Sequence, residues 1–157
     1  MKIEEQFKYS QLGDSYWWLA GKYLLITKLL KKVLDKQYKK GRKSLKILDI
    51  GCGEGWTLNY FNEKKWDITG IDFSDSGCKN HNPHLLENLI IGDIYENISK
   101  LINSKKYDVV WLDNVLEHVF NPKDLLEKCR KLINKNGIEL KQECYYYNYK
   151  IYKFKIQ

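Results

Sequence analysis

No apolar run in this sequence approaches the roughly 18 to 20 residues needed to cross a bilayer, which excludes a transmembrane helix from the reading. Met1 to Ser10 is polar and mixed in charge, without the apolar core of a signal peptide, so a cytoplasmic protein is expected. Cys52, Cys78, Cys129 and Cys144 are scattered and form no C-x-x-C pair. Neither a zinc site nor a disulfide framework follows from that spacing, and free thiols are expected. His81 and His84 sit three apart, but Asn82 and Pro83 between them read as loop and no third ligand lies nearby. They read as surface polar residues, and no metal site is expected. There is no internal repeat and no Pro/Ser-rich linker, so 157 residues make one domain, with one sizeable core.

What is present argues against disorder: apolar residues make up 43% of the chain and aromatics 14%. The formal charge of +7 comes largely from Lys28 to Lys46, where Asp35 is the sole acid. Such a cluster suits nucleic acid or an anionic membrane, yet a lysine-rich solvated helix face explains it more simply. Gly21 to Leu34 places Tyr23, Ile26, Leu30, Val33 and Leu34 on one stripe, an amphipathic helix with lysines opposite. Before it stands an aromatic knot, Tyr16-Trp17-Trp18-Leu19, whose density suits anchoring onto a core or capping a pocket. Residues 1–44 are therefore expected to form an N-terminal helical cap.

From Lys46 the pattern changes to short apolar runs alternating with helical segments. Ile47 to Ile50 reads as a buried parallel strand, followed by a helix near Thr57 to Lys64. Asp67 to Ile71 is a second strand, ending at Asp72, and Ser74 and Asp75 are N-cap candidates for a short element beyond it. Asn88 to Ile91 is a third strand stopped by Gly92-Asp93, then Tyr95 to Ile102 reads as helix. Tyr107 to Leu112 is a fourth strand, ending at Asp113-Asn114. Pro122 opens a helix running to about Ile133, closed by Asn136-Gly137 as C-cap and turn into a fifth strand from Ile138. This alternation predicts a parallel α/β sheet with right-handed crossovers and helices on both faces. Ligands of such sheets lie beyond the carboxyl ends of the strands, where strand order reverses. Each of the first four strands delivers an acid or a glycine to that edge: Asp49-Ile50-Gly51, Asp72, Gly92-Asp93 and Asp113. The edge is the expected site.

The run Leu48-Asp49-Ile50-Gly51-Cys52-Gly53-Glu54-Gly55 is a strand-to-helix turn through which a ligand can approach bare backbone. The helix after it opens with unpaired N–H groups. A dinucleotide fingerprint is disfavoured, because Trp56 stands where its third glycine belongs, and no Gly-Lys-Ser/Thr follows to make a Walker loop. Asp72 comes 21 residues after Gly51, where a carboxylate can accept both hydroxyls of a ribose. Phe73 beside it suits an adenine face, and Asp93 is placed to accept from an adenine amino group. In order and on one edge, these residues specify an adenosine-bearing ligand.

Those segments, with Tyr107-Asp108-Val109-Val110 and Asn114-Val115-Leu116-Glu117-His118, resemble the class I S-adenosylmethionine-dependent methyltransferases, closest to the small-molecule subgroup that includes ubiquinone-biosynthesis-type enzymes. The resemblance spans roughly residues 45 to 138, with Trp17-Trp18 and Lys22 adding a weaker match. It implies a Rossmann-like three-layer α/β/α sandwich with a mainly parallel sheet, S-adenosyl-L-methionine as cofactor and a small-molecule methyl acceptor. Asp49, Gly51, Cys52 and Gly53 would line the methionine end, Asp72 would hold the ribose, and Asp93 with Ile94 would flank the adenine. Asp113 and Asn114 would lie near the sulfonium. For a hydroxyl acceptor, His118 is the candidate catalytic base, against the plainer account of a turn residue that packs or caps near the fourth strand.

After Gly137 the resemblance breaks. The family continues into an antiparallel hairpin completing a seven-stranded sheet, whereas this chain runs through Tyr145-Tyr146-Tyr147 to Gln157. Tyr152, Phe154 and Ile156 alternate with Lys153 and Lys155 and allow one more strand, not the hairpin. Residues 142–157 form an atypical tail, and a shortened or frame-altered form of a longer protein is expected. The fifth strand would then be an open edge, left for the tail or a second copy of the chain, as in a homodimer, to cover. Two other readings stand beside the methyltransferase. One is a cofactor-binding remnant without turnover, serving as an interaction module. The other is a nucleic-acid methyltransferase using the lysine cluster, disfavoured because Asp113-Asn114-Val115-Leu116 stands where many base-modifying enzymes carry an Asn-Pro-Pro-Tyr-like run.

Overall fold

The computed structural model describes residues 44–142 together with Gly21, Leu24 and Lys28. The chain divides into two compact units, Met1–Lys43 and Ser44–Gln157. Of the first, the three described positions are helical, so most of the expected helix, the aromatic knot and the lysine cluster lie outside the described residues, as does the tail after Gln142.

The second unit runs β1 (Lys46–Ile50), α1 (Trp56–Glu63), β2 (Asp67–Asp72), α2 (Ser76–His81), β3 (Leu89–Ile91), α3 (Ile94–Leu101), β4 (Tyr107–Asp113), α4 (Pro122–Leu132) and β5 (Ile133–Gln142). Single 3-10 segments at Pro83–Asn88 and Leu116–His118 complete it. The five strands form one sheet in the order β3-β2-β1-β4-β5. Every neighbouring pair is parallel. The chain moves outward from β1 to β3, then crosses back to place β4 on β1's other side. That reversal opens a crevice beyond the carboxyl ends of β1 and β4.

Both faces of the sheet are apolar, as burial between helices demands. On one face Leu48, Ile50, Ile71, Val110 and Leu112 pack with Ile98 and Leu101 of α3 and Leu125, Cys129 and Leu132 of α4. On the other, Phe61 of α1 stacks on Trp66 at 5.7 Å and meets Trp111 of β4 edge-on at 6.4 Å. Burying a side chain such as Phe61 stabilises the unit by about 2–3 kcal/mol. Gly70 in β2 makes the close fit possible: a Cβ there would stand 2.6 Å from Leu58, 2.7 Å from Leu89 and 2.8 Å from the Cys52 sulfur. The result is the expected α/β/α sandwich.

Two elements differ from the sequence reading. Leu85 anchors the 3-10 turn Pro83–Asn88, where a loop was expected, fully buried. The last helix ends at Leu132, because Ile133 already takes extended backbone angles (φ −83°, ψ 137°) and pairs with Tyr107 as the start of β5. Asn136-Gly137 is thus no helix cap. The register then shifts, and Ile138 pairs with Val109, so residues 134–137 bulge opposite Asp108. The bulge is held: Asn134 Nδ2 donates to Asp108 Oδ1 at 2.8 Å, while the Lys46 backbone N–H donates to Oδ2 at 3.0 Å. No helix among the described residues is long and apolar enough to cross a membrane.

Candidate functional site

The crevice is built from four turns, beginning with the one after β1. Gly51, Gly53 and Gly55 all take positive φ, at 70°, 52° and 79°. The Gly51 N–H donates to the Ile71 carbonyl at 2.7 Å, which ties the turn to β2. A Cβ on Gly51 would stand 2.5 Å from a Val115 methyl, so this position closes against the protein. Gly53 is the opposite case. A Cβ there meets nothing within 4 Å, so its glycine faces open space, and only its conformation demands the residue type. Gly55 forms the N-cap of α1.

The turn after β2 meets that loop directly. The Gly53 N–H donates to Asp72 Oδ2 at 2.7 Å, and the Ser74 N–H approaches Oδ1 at a long 3.5 Å. One carboxyl group therefore bridges both turns and retains acceptor capacity on the exposed side. Phe73, next along, is 64% exposed, and Ile91, paired with Asp72 across β2 and β3, is 47% exposed. An acid beside exposed apolar side chains suits a ribose joined to a flat base. Asp75 occupies the N-cap position of α2 without a side-chain bond; the Ser74 hydroxyl accepts from Ser76 N–H instead.

At the third turn Gly92 takes φ 128° and donates its N–H to the Asp72 carbonyl. Asp93 is exposed and caps α3, its Oδ1 accepting from Glu96 N–H at 2.9 Å. Ile94 goes the other way: at 5% exposure it belongs to the core, which leaves only its backbone to the crevice. At the fourth turn Asp113 is half-buried and Asn114 exposed, with a left-handed φ of 53° that asparagine tolerates better than most residues. His118 is exposed, in the 3-10 turn, and its backbone N–H donates to Val115.

Besides Ile94, two more of the expected site residues are buried. Asp49 is 2% exposed, and Cys52 9%. Burial pushes the Cys52 thiol far above its ordinary pKa, with Asp49 and Asp72 adding to the shift. A thiol held protonated in this way is no nucleophile. Cys52 therefore serves the loop through its backbone, while its sulfur packs against Gly70. Cys52, Cys78 and Cys129 are buried, and none of the three is in a disulfide. His81 and His84 turn to separate partners, Glu54 at 3.6 Å and Asn59 at 2.9 Å.

The model of the methyltransferase domain matches residues 22–144. The chain belongs to this methyltransferase-domain family. Among curated proteins it is similar to the ubiquinone biosynthesis O-methyltransferase of Pasteurella multocida, 27% identical over 86% of this chain and 62% of that enzyme. It is also similar to the enzyme of the same name from Coxiella burnetii, 31% identical over 85% of this chain and 58% of that one. The chain thus spans about three fifths of the length of these relatives. Among solved structures, coclaurine N-methyltransferase bound to N-methylheliamine and SAH superposes with a TM-score of 0.52 at 21% identity, over 64% of this chain and 31% of that one. A SAM-dependent methyltransferase from Archaeoglobus fulgidus gives 0.51 at 24% identity, over 71% and 53%. These two likenesses concern the fold.

Sequence reasoning missed one apolar neighbour and one support within this methyltransferase domain. Ile91 reads as an ordinary strand residue until the β2–β3 register sets it beside Asp72. Asn82 reads as loop, yet it is 3% exposed and its amide donates to the Glu54 carbonyl of the glycine loop at 2.8 Å. Neither has a sequence signal, because both depend on register and packing.

Proposed function

We propose that this chain holds S-adenosylmethionine at the carboxyl edge of its sheet, as the cofactor-binding part of an enzyme that methylates a small-molecule acceptor. The observation that carries the proposal is the 2.7 Å bond from the Gly53 N–H to Asp72, beside a Gly53 open to solvent. It joins the bare loop suited to an amino-acid end with the acid suited to a ribose. In this reading Asp49, Gly51, Cys52 and Gly53 line the methionine end, the first through its place beneath the loop and the others through backbone. Asp72 accepts from the ribose hydroxyls, Phe73 and Ile91 bound the adenine, and Asp93 uses the oxygen not engaged in capping. Ile94 contributes its backbone N–H, one of the unpaired donors of a helix start.

When bound, the cofactor supplies a methyl group already activated on a sulfonium. The protein's share is alignment and an electrostatic surround, to which Asp113 and Asn114 at the end of β4 contribute. The relatives named as O-methyltransferases favour a hydroxyl acceptor, whose proton an exposed His118 can take. Residues 45–141 form the cofactor core in this proposal, with 1–44 as a helical cap and 142–157 as a tail. A cytoplasmic setting fits three buried cysteines that form no disulfide. A second copy pairing along the outer edge of β5 is the proposed homodimer, to be checked by sedimentation.

Thermal-shift titration tests the cofactor. S-adenosylmethionine and its demethylated product should each raise the melting temperature with concentration, and NAD should not. Stabilisation by NAD alone removes the assignment. Turnover is tested by formation of the demethylated product with a panel of phenols, and His118→Ala should slow it. Binding without product from any phenol would leave the cofactor reading standing and remove the transferase one.

A further inference from the structure

The inner end of the glycine loop donates to β2, from Gly51 and Cys52 to the Ile71 carbonyl and from Gly53 to Asp72, but the loop's outer end is held from elsewhere. Glu54, between Gly53 and Gly55, has three partners. Its carbonyl accepts from Asn82 Nδ2 at 2.8 Å, its Oε2 accepts from the Trp56 indole at 2.6 Å, and its Oε1 lies 3.6 Å from His81 Nε2. Asn82 closes α2 and His81 is its last residue, so two of the three come from that short helix. The exposed His81 contact is screened by solvent and holds little. The Asn82 contact is different, because Asn82 is 3% exposed and its Cβ lies 3.6 Å from where a Gly55 Cβ would stand.

The same helix also backs the loop sterically. A Cβ on Gly77 would lie 3.2 Å from the Gly53 carbonyl oxygen and 3.3 Å from the Glu54 nitrogen. Cys78, the next residue, is fully buried with its sulfur 2.9 Å from a Cβ built on Gly55. Helix α2 therefore holds the loop at Glu54 through one amide and lets it sit close at Gly53 because Gly77 carries no methyl. Between these two constraints stands the Gly53 N–H that Asp72 accepts.

We infer that Asn82 and Gly77 are positioning residues for the cofactor: they set the outward conformation of the Gly53–Gly55 segment without touching the ligand. This rests on the proposed cofactor reading. Asn82→Ala releases the Glu54 carbonyl and Gly77→Ala displaces the loop by a few tenths of an ångström, two routes to the same loss. The probe is S-adenosylhomocysteine, with its dissociation constant measured by calorimetry where circular dichroism shows each variant fully folded. Each variant should bind roughly tenfold more weakly, the worth of one net hydrogen bond. Amide resonances of Gly53 and Gly55 should shift in the ligand-free protein. Leu132→Ala, a cavity in the core at α4, is the control: it should lower the melting temperature and leave the dissociation constant unchanged. Should Asn82→Ala not fold, Asn82→Ser and Gly77→Ala carry the test. Wild-type affinity in either folded variant overturns the inference, as does equal weakening by Leu132→Ala. A wild-type protein that binds no S-adenosylhomocysteine overturns the cofactor reading itself, which is a separate outcome.

Discussion

The two ends of this sheet both carry buried or half-buried aspartates, and they treat them differently. At the amino end, Asp108 is 1% exposed, with one oxygen on the Lys46 N–H and the other on the Asn134 amide. That acid is consumed by the fold: it ties β1, β4 and the bulge of β5 together. At the carboxyl end, Asp72 receives one good bond, from a loop N–H, and one long one. The three large aliphatic or phenyl side chains exposed among the described residues of this unit, Phe73, Ile91 and Phe120, also lie at or beyond carboxyl ends of strands. An acid satisfied on all sides is structural. One left with spare acceptors beside exposed apolar surface has the chemistry to receive a ligand.

The contrast is sharpest in substitutions that trade stability against binding. Asp108→Ala strands the Lys46 N–H and the Asn134 amide, and should cost about 3 kcal/mol of stability by urea unfolding. The folded fraction should bind S-adenosylhomocysteine as before. Gly51→Ala should lose about 2–4 kcal/mol, from a left-handed backbone and a methyl driven onto Val115, and binding should fall with it. Asp72→Asn should move affinity rather than stability, weakening the cofactor by about 2 kcal/mol in calorimetry, the scale of a charge-assisted hydrogen bond. A melting temperature lowered by Asp72→Asn as far as by Asp108→Ala would erase the distinction between the two edges.

The smallest expected effect is in pH. The thiols of Cys52 and Cys78 are raised by burial above their ordinary value of 9.0, Cys52 further than Cys78. A raised folded-state pKa gives stability that is fully present below the unfolded value and is lost as pH rises toward the folded one. These thiols should therefore leave the melting temperature level from pH 7 to about 8.5 and lower it above about 9. Cys52→Ala should flatten part of that fall. An unchanged slope would mean that the loop sulfur is not as enclosed as its packing against Gly70 requires.

Most strands were legible because each is a short apolar run stopped by an acid or a glycine, and that punctuation survives in the sequence. The acids at the carboxyl edge were legible for the same reason: that edge is where strands stop. The start of β5 was not, since Asn136-Gly137 has the chemistry of a turn, while Ile133 is drawn into the ladder by Tyr107 and the bulge by Asp108. The roles of Asn82 and Gly77 were hidden too, because nothing in a loop dipeptide or a short helix says which carbonyl it will meet.

By itself the sequence determined the order of elements, the parallel sheet and the residues sent to its carboxyl edge, because apolar periodicity and glycine act locally. Only the tertiary structure decided which of those residues stay open to solvent at that edge. Ile94 and the Cys52 sulfur turned inward, Phe73 and Asp93 stayed exposed, and Asn82 became a support. The physical reason is that a side chain's direction at a strand end depends on the packing of neighbouring helices, which no single segment encodes.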